Sequence, residues 1–350
     1  MNKVRWGVLS TAKIGTEKVI PAMQLGNHCT ITALASRKLN KAVKAAKRLG
    51  IEKAYGSYED LLHDTDIDAI YIPLPNHLHV PWAIKALNAG KHVLCEKPIG
   101  LNATEAQKLL DVAKKFPKLK VMEAFMYRYH PQWRWVKQRI KERKIGKVHT
   151  IQLFFSYYNI NPDDIRNKAD IGGGGLMDIG CYCISLSRFI FKTKPLRVCG
   201  IMEKDPKFKI DSLTYGILEF PNGSSTFTSA TQMVPYQRAN IFGTKGLIEI
   251  EIPFTVPPDK PCKVWLGNGV KNEEIKMEIC NQYMIQGDLF SLAVLEDSDV
   301  PTPLEDAVEN MQVIDAVILS AKYGKWVDVE KRNMKCSVYN THRQPIIYKQ

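Results

Sequence analysis

Between residues 4 and 124 the chain alternates short β-branched runs with helical stretches. This alternation constrains the fold more than any other feature, because it is the pattern of βαβ units around a parallel sheet. Strands are expected at Val4–Leu9, Thr30–Ala35, Ala69–Ile72, His92–Cys95 and Lys120–Ala124, each without charge at its centre, as strands covered on both faces require. Helices are expected at Asn40–Leu49, Leu78–Ala89 and Thr104–Lys115, the last capped by Asn102. With right-handed crossovers these elements build a doubly wound α/β domain.

The pattern changes near residue 125. A helix over Pro131–Arg143 is followed by strand-like runs at Val148–Tyr158, Val198–Met202, Ser212–Phe220, Ser224–Ala230, Gln237–Phe242 and Leu247–Glu251. Pro221-Asn222-Gly223 has the composition of a hairpin turn between two of them. Two helices, Tyr283–Glu296 and Leu304–Tyr323, close the pattern. The 350 residues exceed what one core usually organises. The expected division is therefore 1–125 for the doubly wound domain, 126–330 for a second α/β domain on an open, mostly antiparallel sheet, and 331–350 for a polar tail. One face of that sheet can cover an active site or meet another subunit.

The formal net charge is +13, yet the basic residues are spread through helical stretches and do not cluster with aromatics, so a nucleic-acid footprint is not expected. The excess charge favours an anionic cofactor or a phosphorylated substrate. The first residues run directly into a strand without a signal-peptide pattern. No window approaches the roughly eighteen apolar residues a spanning helix needs. Eight scattered cysteines fit reduced thiols in the cytoplasm. Cys181 and Cys183 are the only close pair, with no second Cys or His pair nearby, so no metal is expected.

The motifs that carry chemistry lie where these strands end. After the first strand, Ser10, Ala12 and Gly15 occupy the glycine positions of a G-x-G-x-x-G turn, the Rossmann dinucleotide fingerprint, with the following helix N-terminus facing the phosphates. An NAD enzyme carries an acidic residue about 20 positions on; this chain has Ser36-Arg37-Lys38. A cation there suits the 2'-phosphate of NADP. Two further strand ends are Pro73-Leu74-Pro75-Asn76-His77-Leu78-His79, where Asn76 reads as a helix cap, and Cys95-Glu96-Lys97-Pro98. His77 and His79 read as first-turn helical residues rather than metal ligands. Lys97, placed after a buried strand and backed by Pro98, is expected near the cofactor. Finally, Gly172-Gly173-Gly174-Gly175 leads to Asp178 and Tyr182, spaced to share one helix face; capping and interface packing are their structural alternatives.

In combination these motifs, with Glu123-Ala124-Phe125-Met126-Tyr127-Arg128-Tyr129-His130-Pro131, resemble the glucose-fructose oxidoreductase, inositol dehydrogenase and MocA family. The Tyr182 form is most similar to its dihydrodiol dehydrogenase and NADP-dependent xylose dehydrogenase branch. The resemblance implies a Rossmann domain, a second sheet often used for homo-oligomerisation, and an active site between them. It implies NADP held by Ser10, Thr11, Ala12, Lys13, Ile14, Ser36, Arg37, Lys38, Pro73, Leu74, Asn76, His79, Glu96 and Lys97. It implies catalysis by Lys97, Asp178 and Tyr182, with Arg128 also reaching the substrate, which is a sugar, polyol or diol. Hydride moves to nicotinamide while Tyr182, its pKa lowered by the Lys97 cation, takes the hydroxyl proton. A keto-sugar reductase using the same residues as acid and a non-catalytic NADP sensor are the rival readings.

Overall fold

The computed structural model describes residues 2–329; the expected tail at 331–350 lies outside the described residues. The first sheet is wholly parallel, in the order β3-β2-β1-β4-β5-β6. Its strands are β1 (Val4–Leu9), β2 (Cys29–Ala35), β3 (Lys53–Tyr55), β4 (Ala69–Ile72), β5 (His92–Cys95) and β6 (Val121–Glu123). This is the doubly wound order whose switch point, between β1 and β4, opens a ligand crevice at the strands' carboxyl ends. Period-two side chains supply both faces: Ile70 and Ile72 enter one core, Ala69 and Tyr71 the other.

Helices α1 (Ile20–Gln24), α2 (Leu39–Leu49), α3 (Tyr58–His63), α4 (Asn76–Asn88) and α5 (Ala103–Ala113) connect these strands. The Asn102 side chain accepts from Glu105 N, capping α5 as expected. At α4 the cap position falls on Pro75, with Asn76 already helical, so the expectation that Asn76 caps the helix does not hold. Its amide instead donates to the Gly172 carbonyl at 2.7 Å, joining the two halves of the chain.

After α6 (Pro131–Lys141) comes a nine-stranded sheet in the order β14-β13-β12-β11-β7-β10-β9-β8-β15. Its members are β7 (Val148–Tyr158), β8 (Arg197–Lys204), β9 (Asp211–Phe220), β10 (Gly223–Ala230), β11 (Gln232–Gly243), β12 (Leu247–Ile250), β13 (Lys263–Gly267), β14 (Asn272–Lys276) and β15 (Val327–Asp328). Only β7 and β10 pair in parallel. Phe220 pairs with Gly223, which makes Pro221-Asn222 the tight hairpin loop. On one face α7 (Cys181–Phe191) packs against β7 and β10; the other face leaves Ile201, Tyr215, Ile217 and Tyr236 exposed.

The last two helices are α8 (Gln282–Leu295) and α9 (Leu304–Tyr323). α8 returns to the first sheet: Phe290 sits 5.3 Å from the Trp6 ring, and the Trp6 indole donates to Ser291 Oγ at 3.0 Å. Trp6 and Phe290 are fully buried. Residues late in the chain thus complete the core of the N-terminal sheet.

Candidate active site

At the end of β1 the chain must turn sharply into the next helix, and it does so through Ser10 at φ 110°. That conformation favours glycine, which accounts for glycine being usual at this position of the fingerprint. Here the serine hydroxyl holds the turn, donating to the Pro73 carbonyl at 3.2 Å and accepting from Ala12 N at 3.1 Å. The helical stretch that follows runs as a π-helix over Ile14–Val19 before becoming α1. Ser36 lies beside this turn because Leu9 pairs with Ala35. Its hydroxyl accepts from Lys38 N at 3.5 Å, while Arg37 and Lys38 are exposed.

A cavity of about 850 Å³ runs from Ala12, Lys13 and Ile14 along Pro73-Leu74-Pro75-Asn76 to Glu96 and Lys97. Asp178 and Tyr182 line it beside Lys97. Residues far apart in sequence are therefore brought together around one cavity. Ser10, Thr11, Ser36, Arg37, Lys38 and Arg128 do not line it. His79 borders it but is buried, each ring nitrogen 2.7 Å from a backbone carbonyl, of Pro98 or Leu74. Burial lowers its pKa to about 4 against the pull of the two carbonyls, and the ring ties α4 to the loop after β5.

Lys97 follows β5 in a loop whose Lys97–Pro98 peptide is cis. Its ammonium donates to the Asp178 carbonyl at 2.6 Å and to Asp178 Oδ1 at 3.1 Å. Burial opposes the charge, but Asp178, Cys181 and Glu96 together offset it and raise the lysine's pKa. Beside it, burial raises the Glu96 carboxyl, which accepts from the Tyr71 hydroxyl at 2.6 Å.

Asp178 lies in a second π-helical turn, Leu176–Gly180, rather than within the regular α7 that carries Tyr182. Such turns loosen the usual backbone pairing and recur at functional sites; here the Asp178 carbonyl faces Lys97. Burial penalises its carboxylate, yet Arg166 and Lys97 hold it well below the usual carboxylate range. The glycine run serves the chain itself. A side chain at Gly173 would meet the Arg166 carbonyl at 2.5 Å, and one at Gly174, whose φ is 119°, would meet Asp211 Oδ1 at 2.1 Å. Gly172, Gly173 and Gly174 also line the cavity.

Tyr182 is 5% exposed, walled by Phe125, Phe155 and Phe254 with ring centroids 5.2, 5.8 and 5.4 Å away. Its hydroxyl donates to Met126 Sδ at 3.5 Å. The Lys97 ammonium stands over the ring, 4.8 Å from its centroid, not at the hydroxyl. Burial, reinforced by Tyr283 and Glu96, raises the phenol well above its ordinary value. This corrects the expectation that Lys97 lowers it.

Arg128 is the other correction. Its guanidinium is buried in an ion pair with Asp306 at 2.8 Å and donates to Ser185 Oγ at 2.7 Å, away from the cavity. Three lining residues carry no sequence motif that singles them out: Tyr157 at the end of β7, Arg166 in the following connection, and Tyr283 at the start of α8. Among the described residues no group of three or more His, Cys, Asp or Glu could hold a metal ion, and no helix is long and apolar enough to cross a membrane.

Residues 4–125 match the model of the oxidoreductase family with an NAD-binding Rossmann fold, and residues 133–249 match the GFO/IDH/MocA C-terminal domain. The chain is 34% identical over 327 residues to D-xylose 1-dehydrogenase (NADP(+)) 2 of Haloferax volcanii, covering 93% of this chain and 99% of that one. It is 32% identical to trans-1,2-dihydrobenzene-1,2-diol dehydrogenase of Xenopus laevis over 89% of this chain and 98% of the relative. Among solved structures, a 3-ketoreductase from Actinomadura kijaniata, in complex with NADP and TDP-benzene, superposes with a TM-score of 0.86. That pair shares 29% identity over 91% of this chain and 98% of the other. Sequence, sheet order and site geometry agree: the chain belongs to the glucose-fructose oxidoreductase, inositol dehydrogenase and MocA family of NAD(P)-binding oxidoreductases.

Proposed function

We propose that this chain is an NADP-dependent oxidoreductase acting at a hydroxyl-bearing carbon of a sugar, polyol or diol. One observation carries the reading: Lys97, Asp178 and Tyr182 converge on one end of a cavity whose other end is the Ala12-Lys13-Ile14 turn. The residues fit a dinucleotide. Ser10 holds the sharp turn a pyrophosphate needs, the Lys13 and Ile14 backbone begins a helical stretch at the switch point, and Ser36-Arg37-Lys38 offers donors and cations for a 2'-phosphate. A bound nicotinamide supplies or accepts the hydride.

In oxidation the substrate C–H leaves as hydride and the O–H proton goes to the protein, leaving a carbonyl. Lys97 would donate to the reacting oxygen, stabilising the charge that develops on it. Tyr182 would exchange the proton, and Asp178 would orient Lys97 through the contacts described.

The reductive direction has an observation in its favour. Burial keeps the Tyr182 phenol protonated, the state from which it donates to a nascent alkoxide. The fold relative from Actinomadura kijaniata is itself a 3-ketoreductase. An absorbance screen at the nicotinamide band, with aldoses, polyols, diols and keto-sugars against both cofactors, tests the function and its direction together. NADP binding without turnover on any of them would favour the sensor instead.

The exposed Ile201, Tyr215, Ile217 and Tyr236 on the outer sheet face support packing of a second copy there, since apolar patches of this kind are uncommon on monomers. Light scattering that returns a monomer mass would overturn it.

A further inference from the structure

Asp178 has more cationic partners than its single charge requires. On one side Oδ1 accepts from Lys97 Nζ at 3.1 Å. On the other, Oδ2 accepts from the Tyr157 hydroxyl at 2.6 Å and from Arg166 Nε at 3.0 Å. Arg166 is itself anchored: Asp164 Oδ1 accepts from its backbone N at 2.9 Å and from Nη1 at 3.3 Å. Its backbone carbonyl accepts from Gly174 N at 2.9 Å, fixing the same glycine run that leads into Asp178. The arginine side chain is 41% exposed, whereas Asp178 is 14% and Lys97 11% exposed.

In this arrangement the Lys97 ammonium is already engaged. It stands over the Tyr182 ring and is bound to Asp178. Sharing its N–H donors with a substrate oxygen beside the Tyr182 hydroxyl would weaken its hold on the carboxylate. Were Lys97 the only partner, that step would abandon a buried charge, which is strongly unfavourable.

We infer that Arg166 is a positioning residue that, with Tyr157, keeps the Oδ2 side of Asp178 satisfied and so frees Lys97 to engage the substrate oxygen. The inference rests on the catalytic reading of Lys97 above. Other groups face this cluster. Glu96 adjoins Lys97 in the chain, Cys181 donates its thiol to the Asp178 carbonyl at 3.5 Å, and Asp164 backs Arg166. Burial disfavours the Lys97 cation, Asp178 and Cys181 favour it, and Arg166 disfavours it again. Removal of Arg166 therefore tightens the Lys97–Asp178 pair and raises the lysine's proton affinity.

The test uses the full-length chain with Arg166→Gln, Arg166→Lys and Tyr157→Phe. Acylation of Lys97 by an amine-reactive ester, followed by peptide mass spectrometry at mildly alkaline pH, needs no substrate. The expected result is slower labelling in Arg166→Gln, a smaller slowing in Tyr157→Phe, and recovery in Arg166→Lys, with unchanged melting transitions. With a substrate found in the screen, kcat falls about tenfold in Arg166→Gln, the scale of one charge-assisted hydrogen bond, while KM changes little. Unchanged Lys97 labelling in Arg166→Gln would overturn the inference. So would a rise in KM alone, which would make Arg166 a substrate ligand. If the wild-type chain turns over nothing, the functional reading fails by itself and the labelling still decides the role of Arg166.

Discussion

The ammonium of Lys97 lies above the Tyr182 ring, 4.8 Å from its centroid, so the cation touches the tyrosine's face while the phenol remains a protonated, buried acid. A proton donor and the cation that would steady the new alkoxide thus occupy one wall of the cavity without being bonded to each other.

Tyr182→Phe removes only the hydroxyl, whose partner is Met126 Sδ at 3.5 Å. Turnover should fall by roughly 10²–10⁴, the contribution of a positioned acid or base, with the dissociation constant for NADP unchanged. Steady-state kinetics and a cofactor titration on the same preparation check both halves; full activity would remove Tyr182 from the reaction.

Arg37 is exposed at the end of β2 and lies against the Tyr58 hydroxyl. Arg37→Ala should weaken NADP binding by about 1.5–3 kcal/mol, the worth of a hydrogen bond to a charged group, and leave NAD binding nearly unaltered. Thermal shifts with each cofactor at matched concentrations measure the difference. Equal losses for both cofactors would count against a 2'-phosphate contact.

Glu123 is fully buried; its Oε1 accepts from Ile99 N at 2.7 Å, and Oε2 has no partner. Burial, with Asp306 adding to it and Arg128 opposing it, raises its pKa to about 8. Since the folded-state pKa lies above the unfolded one, its contribution is complete below the ordinary carboxylate range and is lost as pH rises through about 8. Glu123→Gln keeps the Ile99 bond and cannot ionise. Its melting temperature should decline less than that of the parent over this interval, and parallel pH profiles would contradict the assignment.

Gly174→Ala places a methyl 2.1 Å from Asp211 Oδ1 on backbone at φ 119°. The backbone conformation alone should destabilise the fold by about 1–3 kcal/mol, and displacement of the turn carrying Asp178 should lower activity further. Chemical denaturation alongside kinetics separates these; wild-type values in both would show the contact relaxes freely.

The doubly wound half was legible because its strands are short apolar runs set between amphipathic helices. β3, β13, β14 and β15 were not. Lys53-Ala54-Tyr55 offers no apolar run, Asn272-Glu273-Glu274-Ile275-Lys276 reads as a polar loop, and both sit at sheet edges, where solvent tolerates such side chains. Lys97, Asp178 and Tyr182 could be singled out because each adjoins a local motif. Tyr157, Arg166 and Tyr283 could not, since three separate elements bring them to the cavity. Arg128 shows the converse: it sits in a motif just after β6, but Asp306 and Ser185 draw its guanidinium into the interior. Nor does a serine announce that it will adopt φ 110°.

The return of α8 to the first sheet limits how this molecule can be divided. A fragment ending at residue 125 would keep every strand of the parallel sheet yet leave Trp6 without the ring of Phe290 and the hydroxyl of Ser291 that close over it. The dinucleotide half is consequently not a cassette that can be cut out and grafted onto another scaffold: its outer wall is encoded some 280 residues downstream of Trp6, so transplanting it means carrying α8 along.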